Sequence, residues 1–95
     1  MSTKNWKLYV LQCADDSLYT GITTDLDRRL QEHNESPRGA RYTRSRRPVK
    51  LVASWSCENH SRAAQAEYAF KQLRRKQKLN WLDADVSQIR ALIDD

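Results

Sequence analysis

Two short stretches near the start of the chain alternate between apolar and polar positions. They run from Trp6 to Cys13 and from Leu18 to Thr23, and both are rich in aromatic and β-branched side chains. The residues between them, Ala14 to Ser17, have the composition of a turn. The pattern therefore predicts a β-hairpin. A third alternating stretch, Val49 to Ser56, predicts another strand. Its apolar positions on one side would be Leu51, Ala53 and Trp55.

Helical spacing begins directly after the hairpin. Thr24 and Asp27 have the spacing of a capping box, and Leu26 and Leu30 form an i, i+4 apolar pair, so a short helix is predicted up to about Asn34. A loop of about 14 residues, 35–48, then leads to the third strand. Loops of that length are typically functional or mobile.

The last third of the chain predicts helices. The residues at helical spacing are Ala63, Ala66, Phe70 and Leu73, followed by Leu79, Trp81 and Leu82, and then by Val86, Ile89, Leu92 and Ile93. His60 is interpreted as a residue at the start of the first of these helices. A final helix is predicted at about 85–94.

This order of elements, ββαβαα, predicts an α/β fold. We expect a small, three-stranded, mainly antiparallel sheet flanked by helices. Ninety-five residues suit one domain, with a core at about 6–82. With 39% hydrophobic residues, two glycines and two prolines, the composition excludes disordered and collagen-like classes.

The charge is unevenly distributed. The chain carries 17 Lys and Arg against 12 Asp and Glu, a net charge of +5. The stretch 28–78 holds most of the basic residues, which favours a polyanionic partner. Arginine suits bidentate contacts with phosphate. The candidate nucleic-acid-binding residues are Arg38, Arg41, Arg44, Arg46 and Arg47 in the loop, with Arg74, Arg75, Lys76 and Lys78 further on.

Other features narrow the setting. Cys13 and Cys57 lack the spacing of a zinc site or a redox dithiol, so two reduced thiols are predicted. No apolar run reaches the length of about 18 residues needed to span a membrane, and no signal-peptide pattern opens the chain. We expect a cytoplasmic protein that does not bind membranes.

Candidate catalytic residues occur on the predicted hairpin and helices. Tyr9 and Tyr19 lie on paired strands, and Arg29 and His33 are four apart on one helix face. Glu67 lies at the edge of an apolar helical stripe, where it would be partly buried. Such a carboxylate needs a cation, either a metal ion or a neighbour on its helix, Lys71 or Arg74. Gly21 would let a ligand approach the backbone closely.

These residues resemble the GIY-YIG nucleases. The two naming elements correspond to Lys7-Leu8-Tyr9 and Tyr19-Thr20-Gly21, and the run from Leu18 to Asn34 is similar to the core motif of the family. Lys7 and Leu8 replace the opening glycine and isoleucine, as in the small stand-alone bacterial (YhbQ-like) members. The resemblance covers Trp6 to about Leu82.

The resemblance implies a DNA endonuclease that uses one divalent ion, Mg²⁺ or Mn²⁺. It implies that Glu67 binds the metal and that Arg29 is the catalytic arginine, which would hold a phosphate oxygen. It also implies that a tyrosine is the general base, without deciding between Tyr9 and Tyr19. A phenol needs nearby positive charge for this role, whereas His33, with an ordinary pKa near 6.5, could serve as base or contact the phosphate.

Strand geometry sets a condition on this scheme. Tyr9 and Tyr19 share one face of a regular hairpin only if the loop between the strands has an odd number of residues.

Single-stranded or structured DNA is the expected substrate, because a lone small domain offers little surface for gripping a duplex. Trp55, Trp81 or Tyr42 could then stack on bases.

Two other functions are compatible with the sequence. The chain could be a nucleic-acid-binding protein of the same fold with little catalysis, serving repair or RNA processing. It could also be a regulatory module that contacts a partner protein. A steep loss of DNA affinity with salt would argue against the second of these, since counterion release marks phosphate contacts.

Overall fold

The computed structural model describes residues 5–35, 38 and 41–82. In these ranges the chain forms three strands and four helices. They are β1 (Trp6–Gln12), β2 (Leu18–Thr23), α1 (Leu26–Glu35), α2 (Arg41–Arg44), β3 (Lys50–Cys57), α3 (His60–Lys71) and α4 (Arg75–Trp81). The three strands make one antiparallel sheet in the order β2-β1-β3. The predicted α/β class and element order are confirmed, with α2 as an additional short helix.

The β1–β2 hairpin brings the two tyrosines to the same face. Gln12 pairs with Leu18, so five residues connect the strands, and Tyr9 pairs with Gly21 while Leu11 pairs with Tyr19. An odd connection keeps Tyr9 and Tyr19 on one side of the sheet. Within the turn, Asp16 has a φ of 67°, a left-handed conformation that Asp tolerates. The geometric condition for a two-tyrosine site is met.

Strand β3 differs from its prediction at one position. Ala53 pairs with Val10 but Leu51 pairs with Leu11, so the register shifts by one residue between them. This β-bulge turns Leu51 to the opposite side of the sheet from Ala53 and Trp55. The prediction that Leu51, Ala53 and Trp55 share a side is therefore wrong for Leu51, which is 37% exposed.

The sheet lies between helices and buries both of its faces. On one face, Leu8, Val10 and Trp55 pack against Ala66 and Phe70 of α3. On the other face, the buried residues are Tyr9, Leu11, Cys13 and Val49, and Leu26 and Leu30 of α1 pack against them. The candidate catalytic residues of β1, β2 and α1 thus share the second face.

Helix α1 begins one residue later than the sequence pattern suggested. The Asp25 carboxylate accepts the backbone N–H of Arg28 at 3.1 Å, which makes Asp25 rather than Thr24 the N-terminal cap. The Thr23 hydroxyl accepts the Asp25 N–H at 3.1 Å and tightens the turn that leaves β2.

Side chains and backbone groups close the segment between α1 and β3 at its base. The Asn34 amide donates to the Val49 carbonyl at 3.0 Å and accepts the Val49 N–H at 2.7 Å. Further along, the Arg46 carbonyl accepts the Ala14 N–H of the hairpin turn at 2.9 Å. Helix α2 lies inside this segment, so the predicted 14-residue loop contains a helical turn that the sequence pattern did not indicate.

The C-terminal part of the described chain is also helical. His60 opens α3 as predicted, and the Asn59 side chain caps this helix by accepting the Arg62 N–H at 2.8 Å. Helix α4 was not predicted as a separate helix, and Trp81 and Leu82 pack against the core face of α3. The helix predicted at 85–94 lies outside the described residues.

Two further predictions concern thiols and membranes. Cys13 and Cys57 are both free thiols, as the sequence predicted. Within the described ranges, no helix combines the length and the apolar character required to cross a bilayer.

Candidate active site

Tyr9 lies over Gly21 at the centre of the site. A Cβ atom added to Gly21 would come within 2.5 Å of the Tyr9 hydroxyl oxygen and 2.7 Å of its ring carbon Cζ. No described glycine has a positive φ, so the glycine is needed here for space and not for backbone conformation. Gly21 was predicted to let a ligand approach the backbone, but the Tyr9 phenol occupies this space.

Tyr9, His33 and Thr43 form a buried hydrogen-bonded chain across β1, α1 and α2. The Tyr9 hydroxyl lies 2.8 Å from His33 Nε2, and the Thr43 hydroxyl lies 2.8 Å from His33 Nδ1. The three residues are 1%, 0% and 0% exposed, respectively. We refer to this chain as the Tyr-His-Thr relay. Thr43 carried no signal in the sequence, because its contact with His33 depends on the fold of a segment predicted to be a loop.

Burial controls the protonation of the relay. Desolvation raises the pKa of Tyr9 to about 12, although a hydrogen bond with Arg29 acts in the opposite direction. Desolvation also lowers the pKa of His33 to about 4, and the positive charge of Arg29 adds to this effect. Both groups are therefore neutral at pH 7. The expectation that His33 keeps a pKa near 6.5 is wrong because its ring is fully buried, and His33 has no surface with which to contact a phosphate directly.

These protonation states, together with Arg29, determine which group donates in each hydrogen bond of the relay. If Arg29 donates to the Tyr9 oxygen, the Tyr9 hydroxyl is free to donate to Nε2 of His33. The neutral imidazole then carries its proton on Nδ1 and donates it to the Thr43 hydroxyl oxygen. Tyr9 is thus held in one orientation by the groups on both sides of it.

Arg29 lies at the edge of the relay. Its Nη1 donates to Glu32 at 3.1 Å and to the Arg38 carbonyl at 2.9 Å, and its side chain is 27% exposed. The neighbouring Arg28 pairs with the same carboxylate at 3.6 Å but is 66% exposed. Arg29 therefore combines contact with the buried phenol and partial access to solvent, as a phosphate-binding group requires.

Glu67 approaches the relay from α3. Its negative charge acts on Tyr9 and raises the pKa of that phenol further, although less than burial does. The Glu67 side chain is 27% exposed, which agrees with the predicted partial burial, and it pairs with Lys71 at 3.5 Å. Of the two helix neighbours that the sequence offered as its cation, Lys71 is the partner found.

The residues present fit a hydrated divalent ion. No group of three His, Cys, Asp or Glu side chains comes together in the part of the chain that the structure describes. A metal held here would therefore rely on one carboxylate, Glu67, with water and substrate oxygens as its other ligands. Mg²⁺ accepts such a shell because it gives up its waters reluctantly.

Tyr19 belongs to an aromatic stack beside the relay. Its ring centroid lies 5.0 Å from that of His33 and 6.1 Å from that of Tyr42, with the two tyrosine rings nearly parallel. The Arg46 guanidinium covers the Tyr42 ring at 3.9 Å and pairs with Asp15 at 3.0 Å. A nucleobase that stacked on Tyr42, which is 39% exposed, would compete with these groups for its ring.

The tryptophans are also less available for stacking than predicted. Trp55 is 4% exposed and belongs to the core, so the prediction that it could stack on bases is wrong. Trp81 is partly buried and packs against the same core cluster.

The basic residues divide into exposed and internally bonded groups. The exposed ones are Arg38, Arg41, Arg44, Arg74, Arg75 and Lys76, whereas Lys78 is partly buried. Arg47 donates to the carbonyls of His33 and Glu32 in the last turn of α1, and Arg46 holds Asp15 and Tyr42. Arg46 and Arg47 were predicted to contact nucleic acid, but these bonds give both of them a structural role.

A phenol whose pKa responds to a guanidinium and a carboxylate, in a chain with many exposed basic residues, is typical of a nuclease catalytic domain. Comparison with known families agrees: the family described as "GIY-YIG catalytic domain" matches residues 5–80. This chain belongs to the GIY-YIG family of nucleases, in its small stand-alone bacterial branch.

Related proteins support this assignment. The chain is 60% identical over 68 residues to UPF0213 protein DP2720 of Desulfotalea psychrophila. The aligned residues make up 72% of this chain but only 62% of that relative. It is 52% identical over 83 residues to UPF0213 protein RBAM_000440 of Bacillus velezensis, covering 87% and 83% of the two chains.

Solved structures resemble the fold. The solution NMR structure of the protein EF2693 from E. faecalis has 48% identity and a TM-score of 0.60, with 86% of this chain and 88% of that chain covered. That of UPF0213 protein BH0048 from Bacillus halodurans has 40% identity and a TM-score of 0.52, with 95% and 97% covered.

Proposed function

We propose that this protein is an endonuclease that hydrolyses phosphodiester bonds in DNA, single-stranded or structured, with one Mg²⁺ or Mn²⁺ ion. One observation carries the proposal. The pKa of the Tyr9 phenol, borne on β1, is lowered by a hydrogen bond with Arg29 of α1 and raised by the charge of Glu67 of α3, although burial raises it most. Three groups with distinct roles in phosphate hydrolysis thus influence one another electrostatically.

Arg29 binds the phosphate that is cleaved. Its planar guanidinium can hold a non-bridging oxygen, and the contact strengthens as negative charge builds on the phosphorus. Glu32 and the Arg38 carbonyl fix the guanidinium before substrate arrives, so little reorganisation is needed in the transition state. Arg29 should therefore affect turnover more than binding.

Tyr9 accepts the proton of the attacking water. The water oxygen bonds to phosphorus as the bond to the leaving oxygen breaks, and the water proton passes to the Tyr9 oxygen. The hydroxyl proton of Tyr9 moves at the same time to Nε2 of His33, so that no phenolate is required from a phenol with a pKa of about 12. The imidazolium that results has a pKa of about 4, so the Nε2 proton returns to the Tyr9 oxygen as Tyr9 gives the proton taken from the attacking water to solvent, and the relay returns to its starting state.

Glu67 is the residue proposed to hold the metal. A divalent ion bound there would neutralise charge on the phosphate and on the leaving oxygen, which takes its proton from solvent. Exposed basic residues from two segments of the chain would bind the neighbouring backbone through charge. They are Arg38, Arg41 and Arg44 in the first segment, and Arg74, Arg75 and Lys76 in the second.

Cleavage assays with paired variants test this proposal. Labelled single-stranded, duplex and branched DNA, and single-stranded RNA, would be incubated with Mg²⁺, Mn²⁺ or EDTA. We expect cutting of DNA only with metal, and a loss of roughly 10²-fold or more for Arg29→Ala, the usual cost of removing a preorganised donor. Glu67→Gln should lose activity similarly.

Arg28→Ala is the matched control for Arg29. It removes the same kind of side chain from the next position and breaks a pair with the same carboxylate, so it should cut within a few-fold of the wild type. Circular dichroism would check that each variant folds. Equal cutting by Arg29→Ala, Glu67→Gln and the wild type would contradict the proposed site.

A nucleic-acid-binding protein without catalysis is the second candidate. It is favoured by the pairing of Glu67 with Lys71 and by the raised pKa of Tyr9, since both disfavour the charged states that catalysis uses. Binding of DNA in EDTA without any cutting in Mg²⁺ or Mn²⁺ would support this function over the first.

A further inference from the structure

An open pocket lies next to the relay, on the outer edge of β2. It has a volume of about 260 Å³ and is lined by Leu18, Tyr19, Thr20, Tyr42, Lys71 and Lys78. These residues come from β2, α2, α3 and α4, so the pocket exists only when all four elements have packed together. We refer to it as the two-lysine pocket.

The charge of the two-lysine pocket indicates an anion. Two ammonium groups line it and none of its lining residues is acidic. Lys78 is partly buried there, and a partly buried ammonium group is stabilised by a negative partner. The β2 strand is also an edge strand, so half of its backbone N–H groups point away from β1 and toward this side.

We propose that the two-lysine pocket binds the backbone phosphate next to the one that is cleaved. This inference rests on the proposed function. Tyr19 forms the wall between the pocket and the relay, with its ring centroid 6.4 Å from that of Tyr9 and 5.0 Å from that of His33. A strand with one phosphate at Arg29 and Tyr9 therefore places its neighbouring nucleotide across Tyr19.

The size of the pocket agrees with this occupant. A volume of about 260 Å³ corresponds to roughly nine water molecules at about 30 Å³ each, which is room for a phosphate and its sugar. It lies below the usual range of sites that enclose a whole drug-sized ligand, about 300–1,000 Å³. The pocket would therefore hold a section of backbone while the base stays outside.

Lys71 connects the pocket with the metal-binding carboxylate. Its ammonium nitrogen lies 3.5 Å from a Glu67 oxygen and 6.0 Å from the centre of the Tyr19 ring, and its side chain is 48% exposed. The Lys71 side chain thus pairs with Glu67 and also lines the two-lysine pocket. Once another cation neutralises Glu67, or once the carboxylate is removed, Lys71 is released to bind phosphate in the pocket.

Binding measurements without metal test the proposal separately from catalysis. The probe is a fluorescein-labelled single-stranded 12-mer of DNA in EDTA, with affinity read by fluorescence anisotropy over a range of salt. We expect Lys78→Met and Lys71→Met each to weaken binding roughly three- to tenfold, and to reduce the salt slope by about 0.7, the value for one phosphate contact on a single strand.

Lys50→Met is the matched control, because Lys50 is exposed on the opposite edge strand, β3, and carries the same charge. Its affinity should stay close to that of the wild type. If Lys50→Met and Lys78→Met weaken binding equally, net charge explains the loss and the pocket proposal is overturned.

The double role of Lys71 has its own signature. Glu67→Gln should bind the oligonucleotide more tightly than the wild type in EDTA, because Lys71 is then free. That gain should disappear in Glu67→Gln/Lys71→Met but persist in Glu67→Gln/Lys78→Met. If the gain in affinity persists in Glu67→Gln/Lys71→Met, the change in net charge explains it and the double role of Lys71 is overturned.

The outcomes separate the two proposals. Metal-dependent cutting that is retained, with affinity unchanged in both lysine variants, would refute the pocket and leave the nuclease intact. Weakened binding in the lysine variants of a protein that never cuts would support the pocket and refute the nuclease. Failure of the wild type to bind the 12-mer at all would overturn the pocket proposal, and the cleavage assay with metal would still decide the nuclease proposal.

Discussion

The contact between Gly21 and Tyr9 gives a prediction in which the sign of the effect is diagnostic. Gly21 lies inside β2 without a positive φ, so alanine fits its backbone and would ordinarily stabilise the strand by about 0.5–1 kcal/mol. Here the new methyl group would come within 2.5 Å of the Tyr9 oxygen. Tyr9 is 1% exposed and has no room to move aside. Gly21→Ala should therefore destabilise the protein.

The magnitude follows from the contacts that are disturbed. Forcing a methyl group into a packed site costs about 1–3 kcal/mol. Loss of the Tyr9–His33 hydrogen bond adds about 1 kcal/mol, and the backbone gain offsets part of the total. The net loss is about 1–3 kcal/mol, and each 1 kcal/mol lowers the Tm of a domain of this size by about 4–8 °C.

Thermal and urea unfolding followed by circular dichroism would measure the change. Ser56→Ala is a control at an exposed strand position and should lie within about 0.5 kcal/mol of the wild type. Tyr9→Leu removes the oxygen and Cζ that Gly21→Ala would meet. In that background the penalty of Gly21→Ala should fall by at least half. A stabilised Gly21→Ala, or an equal penalty in both backgrounds, would refute the proposed steric role of Gly21.

The buried relay makes two further predictions. His33 has a pKa of about 4 in the folded protein against an ordinary value of 6.5, so the unfolded chain binds more protons between these pH values. The contribution of neutral His33 to the free energy of unfolding, about 3 kcal/mol at most, should be complete above pH 6.5 and lost as the pH falls to 4. His33→Gln should therefore flatten the dependence of the free energy of unfolding on pH between these values. An unchanged slope in this variant would contradict the prediction. Thr43→Val should leave Nδ1 of His33 without its partner and cost about 1–3 kcal/mol, whereas Thr43→Ser keeps the hydroxyl and should cost less. Nitrogen NMR shifts of the His33 ring would show whether Thr43→Val also changes the tautomer, which a packing defect alone would leave unchanged.

Much of the fold could be predicted from periodicity. The hairpin, α1 and α3 each carry a pattern of apolar residues that the core needs. The odd length of the hairpin connection did not follow from the turn residues, because β1 ends at Gln12 and not at Cys13. The bulge in β3 could not be predicted, because alternation along the sequence continues through it while the pairing shifts. Helix α2 was missed because four residues are too few for a helical period to appear.

The residues of the site could be predicted from the sequence, but their burial and their hydrogen-bond partners could not. The motif brought Tyr9, Tyr19, Arg29, His33 and Glu67 into consideration together, and their catalytic roles stay predictions. Burial, which sets the pKa of Tyr9 and His33, depends on how α1, α2 and the sheet close around them. The partners of Arg46 and Arg47 depend likewise on tertiary contacts, so an arginine-rich stretch that looks uniform in sequence performs several tasks.

The double hydrogen bond between Asn34 and Val49 closes the whole segment that carries α2 and Thr43. It joins the end of α1 to the beginning of β3, whatever the number of residues in the segment between them. Doubling a flexible loop adds only about 0.6 kcal/mol of closure entropy. The segment between α1 and β3 reaches the site through the Arg38 carbonyl and the Thr43 hydroxyl, so a change in its length should disturb Arg29 and Nδ1 of His33 before it disturbs the contact between His33 and Tyr9.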